Sequence, residues 1–446
     1  MAISRTHRTT SSEISEVANS ATDQPCRSAN IKTIVALIKG GSSPHLGRVG
    51  IEIEHFIAHD DLTAVTYSEP HGIKFLLEQL HRRGYVRADY NENHDILGCS
   101  RTINGYTESI TIEPGAQLEL SAGPFSSLDQ ANACFEAFDT TVQELIAPYN
   151  QQLLLYGYRP KQTADSIELI PKQRYRCMDS YLGSLSSYGP RMMRGSASTQ
   201  VSIDYENVHD CLRKFRLAQQ LVPLLSLITD NAPMYEGKPS PHHMMRTEIW
   251  HYCDRDRCDT IPAAYEPDYT LEAYATHILD IPAIVAHDDD GDHLSIQTFG
   301  NIYASTPMTK ADAIHALSMV FHDVRLKTYI EIRPADAMPI PYSIAYAALI
   351  KGAFANESTL SQLEQIIGPV GGADVAAAKE NLMARGYKAL LYGRPVGMLA
   401  KELARIAADG LDESERHYLE PLKKLIENET TLAQQAHDSQ KDAPIQ

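Results

Sequence analysis

The sequence predicts an α+β fold built around one largely antiparallel β-sheet. Segments in which apolar and polar residues alternate, typical of strands, are interleaved with segments whose apolar residues recur at helical spacing. Their order lacks the regular strand–helix alternation that produces a parallel sheet. The composition, with 43% hydrophobic and 22% charged residues among 446, is that of an ordinary globular protein.

Residues 30–437 are predicted to form a single domain whose C-terminal part is helical. Residues 1–29, rich in Ser and Thr, are expected to be a disordered N-terminal tail, and residues 438–446 a flexible C-terminal tail. Between them the sequence shows no internal repeat and no long low-complexity linker. One domain is therefore expected, although the length would also allow two or three.

Helices are predicted where apolar residues repeat every three or four positions. The first runs from Ile31 to Lys39 and stops at Gly40 and Gly41, because glycine commonly ends helices. Pro223 lies inside a later helix and predicts a kink there. The main helical segments that follow are "HGIKFLLEQLHRRGY", "LDQANACFEAFDTTVQELIAPY", "DCLRKFRLAQQLVPLLSLITDN", "SIAYAALIKGAF" and "ADVAAAKENLMARGY".

Four segments are predicted to be strands because apolar and polar residues alternate along them. In chain order they are "GIEIEHF", "SITIEPGAQLEL", "TQVSIDY" and "YIEIRPAD". The second is expected to bend or break at Pro114 and Gly115. Each carries polar residues two positions apart, which places those residues on one face of the strand.

Five glutamates on these strands are predicted to converge on one cavity. Carboxylates that meet there repel one another unless a cation keeps them ionised. The expected ion is Mg²⁺, or Mn²⁺, because hard cations prefer oxygen ligands. Any one strand also fits the solvent-facing side of a half-exposed sheet, so the pattern alone leaves both interpretations open. The predicted metal ligands are Glu52, Glu54, Glu113, Glu119 and Glu331.

The net charge and the cysteines limit the possible partners and location. A charge of −17, from 57 acidic and 40 basic residues, argues against nucleic acid or an anionic membrane as main partner. ATP still fits if metal ions intervene. No apolar run approaches the ~20 residues that span a bilayer, and no secretory signal is evident. Seven cysteines without a disulfide pattern predict a reducing cytoplasm.

Basic residues in two further segments are candidates for binding phosphate or carboxylate, which arginine contacts in a bidentate manner. Lys172 and Arg174 lie in "IPKQRYRCM". Arg246 lies in "MMRTEIW", which also contains the only tryptophan, Trp250. The usual ATP motifs, G-x-x-x-x-G-K-[ST] and a G-x-G-x-x-G after a strand, are absent from the sequence.

Together these motifs resemble the glutamate–cysteine ligases of the plant and proteobacterial type, within the glutamine-synthetase-like carboxylate–amine ligases. The resemblance runs from about Arg48 to near Leu422. It implies a curved antiparallel sheet that forms a funnel-like active site flanked by helices, within one catalytic ligase domain. The segments that carry it are "SITIEPGAQLELSAGP", "PKQRYRCM", "MMRGSASTQVSIDY", "NAPMYEGKPSPHHMMRTEIWHYCDRDRC" and "VRLKTYIEIRPAD".

The resemblance also implies a reaction. ATP phosphorylates the γ-carboxylate of glutamate, and the amino group of cysteine displaces phosphate from γ-glutamyl phosphate, the first step toward glutathione or a related thiol. Glutamate, an amine and ATP are thus the implied substrates. Departures from the family pattern in "RGSAS", which follows Met193, and at His55, Thr199 and Ser202 leave the amine open. The alternatives are a γ-glutamyl ligase for a different amine and a non-catalytic ligand-binding homologue.

Residue roles are likewise implied by motif position. The five glutamates form the metal set. Arg246 is expected to clamp the glutamate carboxylate, and Arg333 to lie near the transferring phosphoryl group. Further residues expected to contact substrate or ATP are Lys172, Arg174, Gln117, Gln200 and Trp250.

Overall fold

A nine-stranded β-sheet forms the centre of the structure, a computed structural model that describes residues 25–288 and 291–441. The strands of these residues are, in chain order, β1 (Val49–His59), β2 (Arg87–Tyr90), β3 (Ile96–Ile103), β4 (Tyr106–Ile112), β5 (Leu118–Phe125), β6 (Gln151–Leu154), β7 (Ser198–Ile203), β8 (Met234–Tyr235), β9 (Lys238–Pro239), β10 (Pro282–Asp288), β11 (Gly291–Thr298), β12 (Val324–Leu326), β13 (Ile330–Asp336), β14 (Leu390–Leu391) and β15 (Arg394–Pro395).

The central sheet is antiparallel throughout. Its strands lie in the order β12-β13-β7-β1-β5-β4-β3-β2, and β6 pairs with the second half of β1. The pairs β8–β9, β10–β11 and β14–β15 form separate two-stranded sheets. The predicted α+β class with a largely antiparallel sheet is therefore confirmed, although the sequence pattern did not identify β2, β3, β6 and β12 of this sheet.

Strand β1 is central because it is paired on both sides. Its register sets Glu54 opposite Glu119 of β5, and Glu52 opposite Gln200 of β7. Successive side chains of a strand point to opposite faces, so Ile53 points away from these polar groups and is fully buried. The sheet thus has a polar face along these strands and an apolar face behind it.

The segment around Pro114 and Gly115 forms two strands rather than one bent strand. Proline has no N–H group to donate to a ladder, and the chain reverses here to make the hairpin of β4 and β5. The N–H of Glu113 donates to the carbonyl of Gln117, at 2.9 Å, and Ala116 adopts a positive φ of 63°. Glu113 therefore lies in the turn at one end of the hairpin.

Helices cover both faces of the sheet. In chain order they are α1 (Arg27–Lys39), α2 (Ile73–Arg82), α3 (Leu128–Ile146), α4 (Gln173–Leu185), α5 (Tyr188–Gly195), α6 (Val208–Ile228), α7 (Met245–His251), α8 (Leu271–Asp280), α9 (Phe299–Ile302), α10 (Lys310–Ser318), α11 (Ile340–Ala353), α12 (Glu357–Ile367), α13 (Gly372–Arg385), α14 (Val396–Gly410), α15 (Glu420–Glu427) and α16 (Leu432–Lys441).

Different helices pack against the two faces of the sheet. Helix α3 packs against β5, and α11 packs against β1 and β7, so both bury the apolar side of the sheet. Helices α4, α5 and α7 carry residues that lie over the polar side. Helix α6 continues as one helix through Pro223.

The ends of the domain differ slightly from the prediction. Helix α1 begins at Arg27, so residues 27–29 belong to a helix and not to a tail. Helix α16 continues to Lys441, past the predicted boundary at 438. The rest of the predicted tails, residues 1–24 and 442–446, lies outside the described residues. In the described ranges, no helix combines the length and the apolar character needed to cross a membrane.

Candidate active site

A cavity of about 360 Å³ lies against the polar face of β1, β5 and β7. Predicted site residues from distant parts of the chain line it together. They are Glu52, Glu54, Glu113, Gln117, Glu119, Lys172, Arg174, Gln200, Trp250 and Arg333. Two further predicted site residues, Arg246 and Glu331, lie next to this cavity without lining it.

Three of the predicted metal ligands form a compact group. Glu52 and Glu54 of β1 and Glu119 of β5 each offer a carboxylate oxygen, and these oxygens all lie within 4.8 Å of one another. The grouping follows from local geometry, because residues two apart share a face and the β1–β5 register sets Glu54 opposite Glu119. We refer to these residues as the carboxylate trio.

Hydroxyl groups of the neighbouring strands hold two members of the trio. The Ser121 hydroxyl lies 3.0 Å from Oε2 of Glu52 and 3.1 Å from Oε1 of Glu119, and so bridges the two carboxylates. Thr111 of β4 donates a second hydrogen bond to Oε1 of Glu119, at 2.6 Å. These contacts orient the carboxylates without supplying positive charge.

The third member, Glu54, is held from strand β7. The backbone N–H and the hydroxyl of Ser198 donate to its two oxygens at 2.8 and 3.0 Å. The amide of Gln200 lies 3.4 Å from Oε1 of Glu54, and its own carbonyl oxygen accepts a hydrogen bond from Arg333. Gln200 therefore connects the trio to the guanidinium of Arg333.

Burial and mutual repulsion raise the pKa values of these carboxyl groups when no cation is bound. The pKa of Glu52 is raised to about 8, and the pKa values of Glu54, Glu113 and Glu119 are raised to about 7. Burial is the largest cause in each case, and neighbouring carboxylates add to it. A hard divalent cation would remove this penalty, so the trio fits Mg²⁺ or Mn²⁺.

Glu113 lines the same cavity but does not belong to the trio. It lies in the turn after β4, and the hydroxyl of Tyr175 is 3.5 Å from its Oε1. After burial, the charges of Glu54 and Glu52 are the largest causes of its raised pKa, which shows that the three are neighbours. Its role as a metal ligand stays a prediction.

Glu331 is surrounded by cations. Its Oε2 lies 2.6 Å from Nε of Arg325 and 3.1 Å from Arg333, and its Oε1 lies 2.9 Å from Nζ of Lys327. Burial opposes ionisation, but these three charges outweigh it and hold the pKa of Glu331 well below its ordinary value. Both oxygens are thus engaged in ion pairs, and a metal-ligand role for Glu331 stays a prediction.

The two predicted arginines flank Trp250. The guanidinium of Arg246 lies 5.0 Å from the centroid of the indole ring, and that of Arg333 lies 5.7 Å from it. Arg246 is buried and donates to the backbone carbonyls of Arg333 and Pro334, both at 3.3 Å. Within the described part of the chain, Nε of each arginine has no hydrogen-bond partner.

The remaining predicted residues lie in α4, immediately before it, and in the β4–β5 turn. Arg174 donates to the hydroxyl and carbonyl of Ser318, at 3.1 and 3.0 Å. Nζ of Lys172 lies 4.9 Å from the ring centroid of Tyr175. Gln117 donates to the carbonyl of Ser196 at 2.9 Å, and its Oε1 has no partner among the described residues.

A second cavity, of about 320 Å³, adjoins the first. Glu52 and Gln200 line both, and Glu331 lines only the second. Its walls also include Arg48 and the aromatic ring of Tyr329. Of the carboxylate trio, Glu52 borders both cavities, whereas Glu54 and Glu119 line only the first.

The residues that sequence reasoning missed are mainly hydroxyls and a cation beside the predicted groups. Ser121 and Ser198 each lie two positions from a predicted site residue on the same strand, and Thr111 lies two positions before Glu113, so the alternation already placed all three on the polar face. Arg325 lines the cavity and pairs with Glu331, but no local pattern indicated it. Tyr175, Phe321 and Ser318 are further lining residues without a sequence signal.

Known proteins are similar in sequence to most of this chain. The chain is 27% identical over 387 residues to glutamate–cysteine ligase B, chloroplastic, of Oryza sativa subsp. japonica. The matched region covers 84% of this chain and 76% of the relative. It is 28% identical over 389 residues to the chloroplastic glutamate–cysteine ligase of Brassica juncea, covering 85% and 74%.

A solved structure shares the fold. The glutamate–cysteine ligase of Francisella tularensis, crystallised in complex with AMP, superposes with a TM-score of 0.56 at 14% identity, covering 89% of this chain and 86% of that one. This similarity confirms the expected fold class. The family model described as glutamate–cysteine ligase family 2 matches residues 48–444, which is most of the sequence. The chain therefore belongs to the glutamate–cysteine ligase family 2.

Proposed function

We propose that this chain is an ATP-dependent ligase that joins the γ-carboxylate of glutamate to the amino group of cysteine. The observation that carries the proposal is the carboxylate trio, which shares one cavity with Arg333. Such a site suits a reaction between two anions, because a metal ion and a guanidinium offset their repulsion. Membership of the family supports this pair of substrates.

The chemistry needs an activated carboxylate, because a free carboxylate is a poor electrophile. Transfer of the γ-phosphoryl group of ATP to the γ-carboxylate of glutamate turns one oxygen into part of a leaving group. The amine then attacks the carbonyl carbon, the C–O bond to phosphate breaks, and a proton leaves the nitrogen. The products are γ-glutamylcysteine, ADP and phosphate.

Glu52, Glu54 and Glu119 would hold Mg²⁺, with Mn²⁺ as the alternative ion. Glu113 and Glu331 are proposed as further ligands because of their positions in the motifs and because they lie near the trio. When bound, the ion neutralises charge between the phosphate oxygens and the substrate carboxylate. The hydrogen bonds from β4, β5 and β7 hold the trio in place for this task.

The cationic residues are proposed to bind the anionic parts of the substrates. Arg333 would lie beside the transferring phosphoryl group, because it lines the cavity next to the trio. Arg246 would bind the α-carboxylate of glutamate directly, or it would hold Trp250 and Arg333 in place while they bind that carboxylate. Lys172 and Arg174 would contact glutamate or nucleotide phosphates.

The two cavities suggest how the substrates are separated. We place glutamate in the first cavity, with its basic residues and Trp250, and the nucleoside of ATP in the second, where Tyr329 offers a ring for stacking and Arg48 a positive charge. Glu52 and Gln200 line both cavities. The γ-carboxylate and the triphosphate would then meet at the trio.

The positions of the unusual residues support cysteine as the amine. His55 is fully buried, with Nε2 3.1 Å from Asp139 of α3, and Thr199 contacts Ser343 of α11, so both face away from the first cavity. Ser202 lines only the second cavity. None of these three departures therefore changes the wall that an amine in the first cavity would touch, and of the fourth departure, "RGSAS" after Met193, only Ser196 lines that cavity.

We infer a reducing compartment, the cytoplasm, as the place of action. All seven cysteines are free, and six of them are buried. A thiol substrate also requires reducing conditions to stay reactive as the free amino acid. Localisation of the tagged protein by cell fractionation would test this inference.

The identity of the product tests the proposed function. The purified protein is incubated with ATP, Mg²⁺, glutamate and an equimolar mixture of amino acids, and the products are separated by mass spectrometry. The expected result is γ-glutamylcysteine as the main product, together with equal amounts of ADP and phosphate.

Two other results would contradict the proposal in different ways. A dominant γ-glutamyl product with another amine would keep the chemistry and change the acceptor. Absence of ATP-dependent product and of phosphate release with every amine would instead identify a ligand-binding homologue. Omission of Mg²⁺ serves as the negative control.

A further inference from the structure

Arg325 is a buried arginine of the first cavity for which the sequence predicted no role. It lies in the short edge strand β12, and the β12–β13 register sets it directly opposite Glu331. It is 7% exposed and lines the cavity together with Arg174 and Arg333. Residues directly opposite each other on paired strands share a face, so Arg325 belongs to the polar face of the sheet.

The contacts of Arg325 fix its guanidinium and leave part of it free. Nε and Nη2 both lie 2.6 Å from Oε2 of Glu331, and Nη1 donates to the backbone carbonyl of Val320 at 2.9 Å. Each terminal nitrogen of a guanidinium carries two N–H groups. Within the described part of the chain, these contacts therefore leave one N–H of each terminal nitrogen for an anion in the cavity.

The cations around Glu331 outnumber this carboxylate. Arg325, Lys327 and Arg333 all approach its oxygens to within 3.1 Å, so three positive charges surround one negative charge. A buried surplus of charge costs free energy unless a counter-ion compensates it. Glu52 of the carboxylate trio interacts with Arg333 and Lys327 and supplies part of that compensation, which a divalent cation bound to the trio would withdraw.

A second guanidinium, that of Arg174, lies beside Arg325. It donates to the carbonyl of Ser318, two residues before the carbonyl of Val320 that accepts from Arg325. Burial lowers the pKa of Arg174, and the charge of Arg325 lowers it further, so the two guanidiniums repel each other. An anion that accepts hydrogen bonds from both would remove this repulsion.

The ion pair of Arg325 and Glu331 lies at the border of the two cavities. Arg325 lines only the first of them, and Glu331 lines only the second. The proposed function places glutamate in the first cavity and the nucleoside in the second. The phosphate chain of ATP would then cross this border, where the surplus of positive charge lies.

We propose that Arg325 is a catalytic residue that binds the γ-phosphoryl group of ATP during its transfer, together with Arg333. This inference rests on the proposed ligase function. In the transfer, the bond from phosphorus to the bridging oxygen of ADP breaks, and a bond from phosphorus to an oxygen of the γ-carboxylate forms. Arg325 keeps its protons and donates hydrogen bonds to the phosphoryl oxygens, which offsets their negative charge in the transition state.

The experiment measures nucleotide binding to the full-length protein by isothermal titration calorimetry with Mg²⁺ present. The ligands are AMP and the non-hydrolysable β,γ-imido analogue of ATP. The variant is Arg325→Lys, which keeps a charge beside Glu331 but loses the planar set of donors. We expect the Kd for the ATP analogue to rise about tenfold or more, and the Kd for AMP to change less than about twofold.

Turnover of the same variant gives a second readout. We expect the kcat of Arg325→Lys to fall about a hundred- to a thousandfold, the cost of losing one preorganised donor to a transition-state anion, with the KM for glutamate unchanged. Phosphate release at saturating ATP measures kcat, and circular dichroism verifies that the variant is folded.

Lys327→Met is the matched control. It removes a cation from the other oxygen of the same carboxylate, but Lys327 lines neither cavity. Its affinities for AMP and for the ATP analogue should both stay close to those of the wild type. A loss equal to that of Arg325→Lys would show that the effect acts through Glu331, and would overturn the proposal.

Three further results would overturn the proposal. They are unchanged binding of the ATP analogue by Arg325→Lys, an equal loss of affinity for AMP and for the analogue, and a rise in the KM for glutamate alone. If the wild type bound no ATP analogue, the proposed ligase function would fail together with this inference. Binding by the wild type without an effect of Arg325→Lys would contradict only the role of Arg325.

Discussion

Glu119 depends on neighbouring side chains for its position and on a cation for its charge. Replacing it with Gln preserves its size and its ability to accept from Thr111 and Ser121, but removes the negative charge. We expect the Glu119→Gln protein to fold normally and its kcat to fall by more than about a hundredfold. Loss of a residue that only supports a metal ligand already lowers activity by up to about a hundredfold, and loss of a ligand itself should cost more. Steady-state release of phosphate measures the loss.

Glu108 offers a matched control for this substitution. It is also buried, at 2% exposed against 8% for Glu119, and lies on adjacent strand β4, but it points to the opposite face, where it accepts from Tyr85 and Arg101. Glu108→Gln should lower the stability and leave most of the turnover. Survival of activity in Glu119→Gln within a fewfold of wild type would remove Glu119 from the metal set.

Arg246 provides a second test at the residue scale. The Arg246→Lys substitution keeps the charge and loses the planar fork of donors. A hydrogen bond to a charged group contributes about 1.5–3 kcal/mol, so we expect the KM for glutamate to rise about ten- to a hundredfold, with little change in the KM for ATP. Initial-rate kinetics with each substrate varied separately measure both constants.

A different kinetic result would change the role of Arg246. The residue donates to the carbonyls of Arg333 and Pro334 and does not line the cavity. If kcat fell while the KM for glutamate stayed constant, Arg246 would act by holding strand β13 and not by binding the substrate.

At the scale of elements, a buried ion-pair network connects helix α13 to the active site. Nζ of Lys379 lies 2.7 Å from Asp259 and 2.5 Å from Asp323, and Lys379 is 1% exposed. The backbone carbonyl of Asp323 accepts from the N–H of Arg333, at 2.9 Å. Asp259 also lies 2.9 Å from His251, the last residue of α7. The network thus positions both the strand of Arg333 and the helix of Trp250.

We expect Lys379→Met to destabilise the protein by about 3–5 kcal/mol, because it leaves two carboxylates that are only 15% and 11% exposed without their cation. Urea unfolding followed by circular dichroism measures the change. The control is Lys401→Met, which breaks an ion pair with Glu429 in which both side chains are about half exposed, and should cost less than about 1 kcal/mol. Equal effects in the two variants would contradict a central role for the network.

The β4–β5 hairpin shows what sequence patterns predict at this scale. Alternation correctly placed Gln117 and Glu119 on a polar face, and proline correctly indicated an interruption. The pattern could not show that the chain reverses at the interruption, because a turn and a bend have the same local composition. Strand β2 was missed because its residues are largely exposed at the edge of the sheet, and β3 because its first four residues are all buried and show no alternation.

At the scale of the whole molecule, the acidic site makes stability depend on pH and on Mg²⁺. The folded-state pKa values of about 8 for Glu52 and about 7 for Glu54, Glu113 and Glu119 exceed the ordinary 4.5. Between these values the folded state binds more protons than the unfolded state, so stability falls as pH rises from about 4.5 to 8. A bound cation removes this effect because it stabilises the ionised form.

We therefore expect the thermal midpoint of the metal-free protein to be lower at pH 8 than at pH 6, and Mg²⁺ to raise it more at pH 8. A concentration of Mg²⁺ one hundred times its Kd adds about 2.7 kcal/mol of stability. Differential scanning calorimetry at both pH values, with and without Mg²⁺, measures the difference. The pKa values of buried Asp230 and Asp336 are also raised, so these residues likewise lower stability as pH rises. Their contribution is present both with and without Mg²⁺.

The Glu119→Gln variant is the control for this measurement, since it removes one repelling charge and weakens the cation site. Its midpoint should change less with Mg²⁺ at pH 8 than that of the wild type. An equal response to Mg²⁺ in both proteins would place the stabilising ion elsewhere, and a larger response at pH 6 than at pH 8 would contradict the direction of the pKa shifts.

The sequence by itself determined the class of fold, the family and the polar faces of the strands. Each of these depends on local information: alternation decides which face a residue occupies, and the ordered motifs identify the family. The gathering of Glu52, Glu54 and Glu119 follows once β1 and β5 pair in register.

Only the tertiary structure decided which charges meet. It brought Arg325 and Lys327 to both oxygens of Glu331, and it buried Arg246 behind Trp250 instead of in the cavity wall. The physical reason is that the partner of a buried charge is chosen by packing between segments far apart in the chain, about which local spacing carries no information.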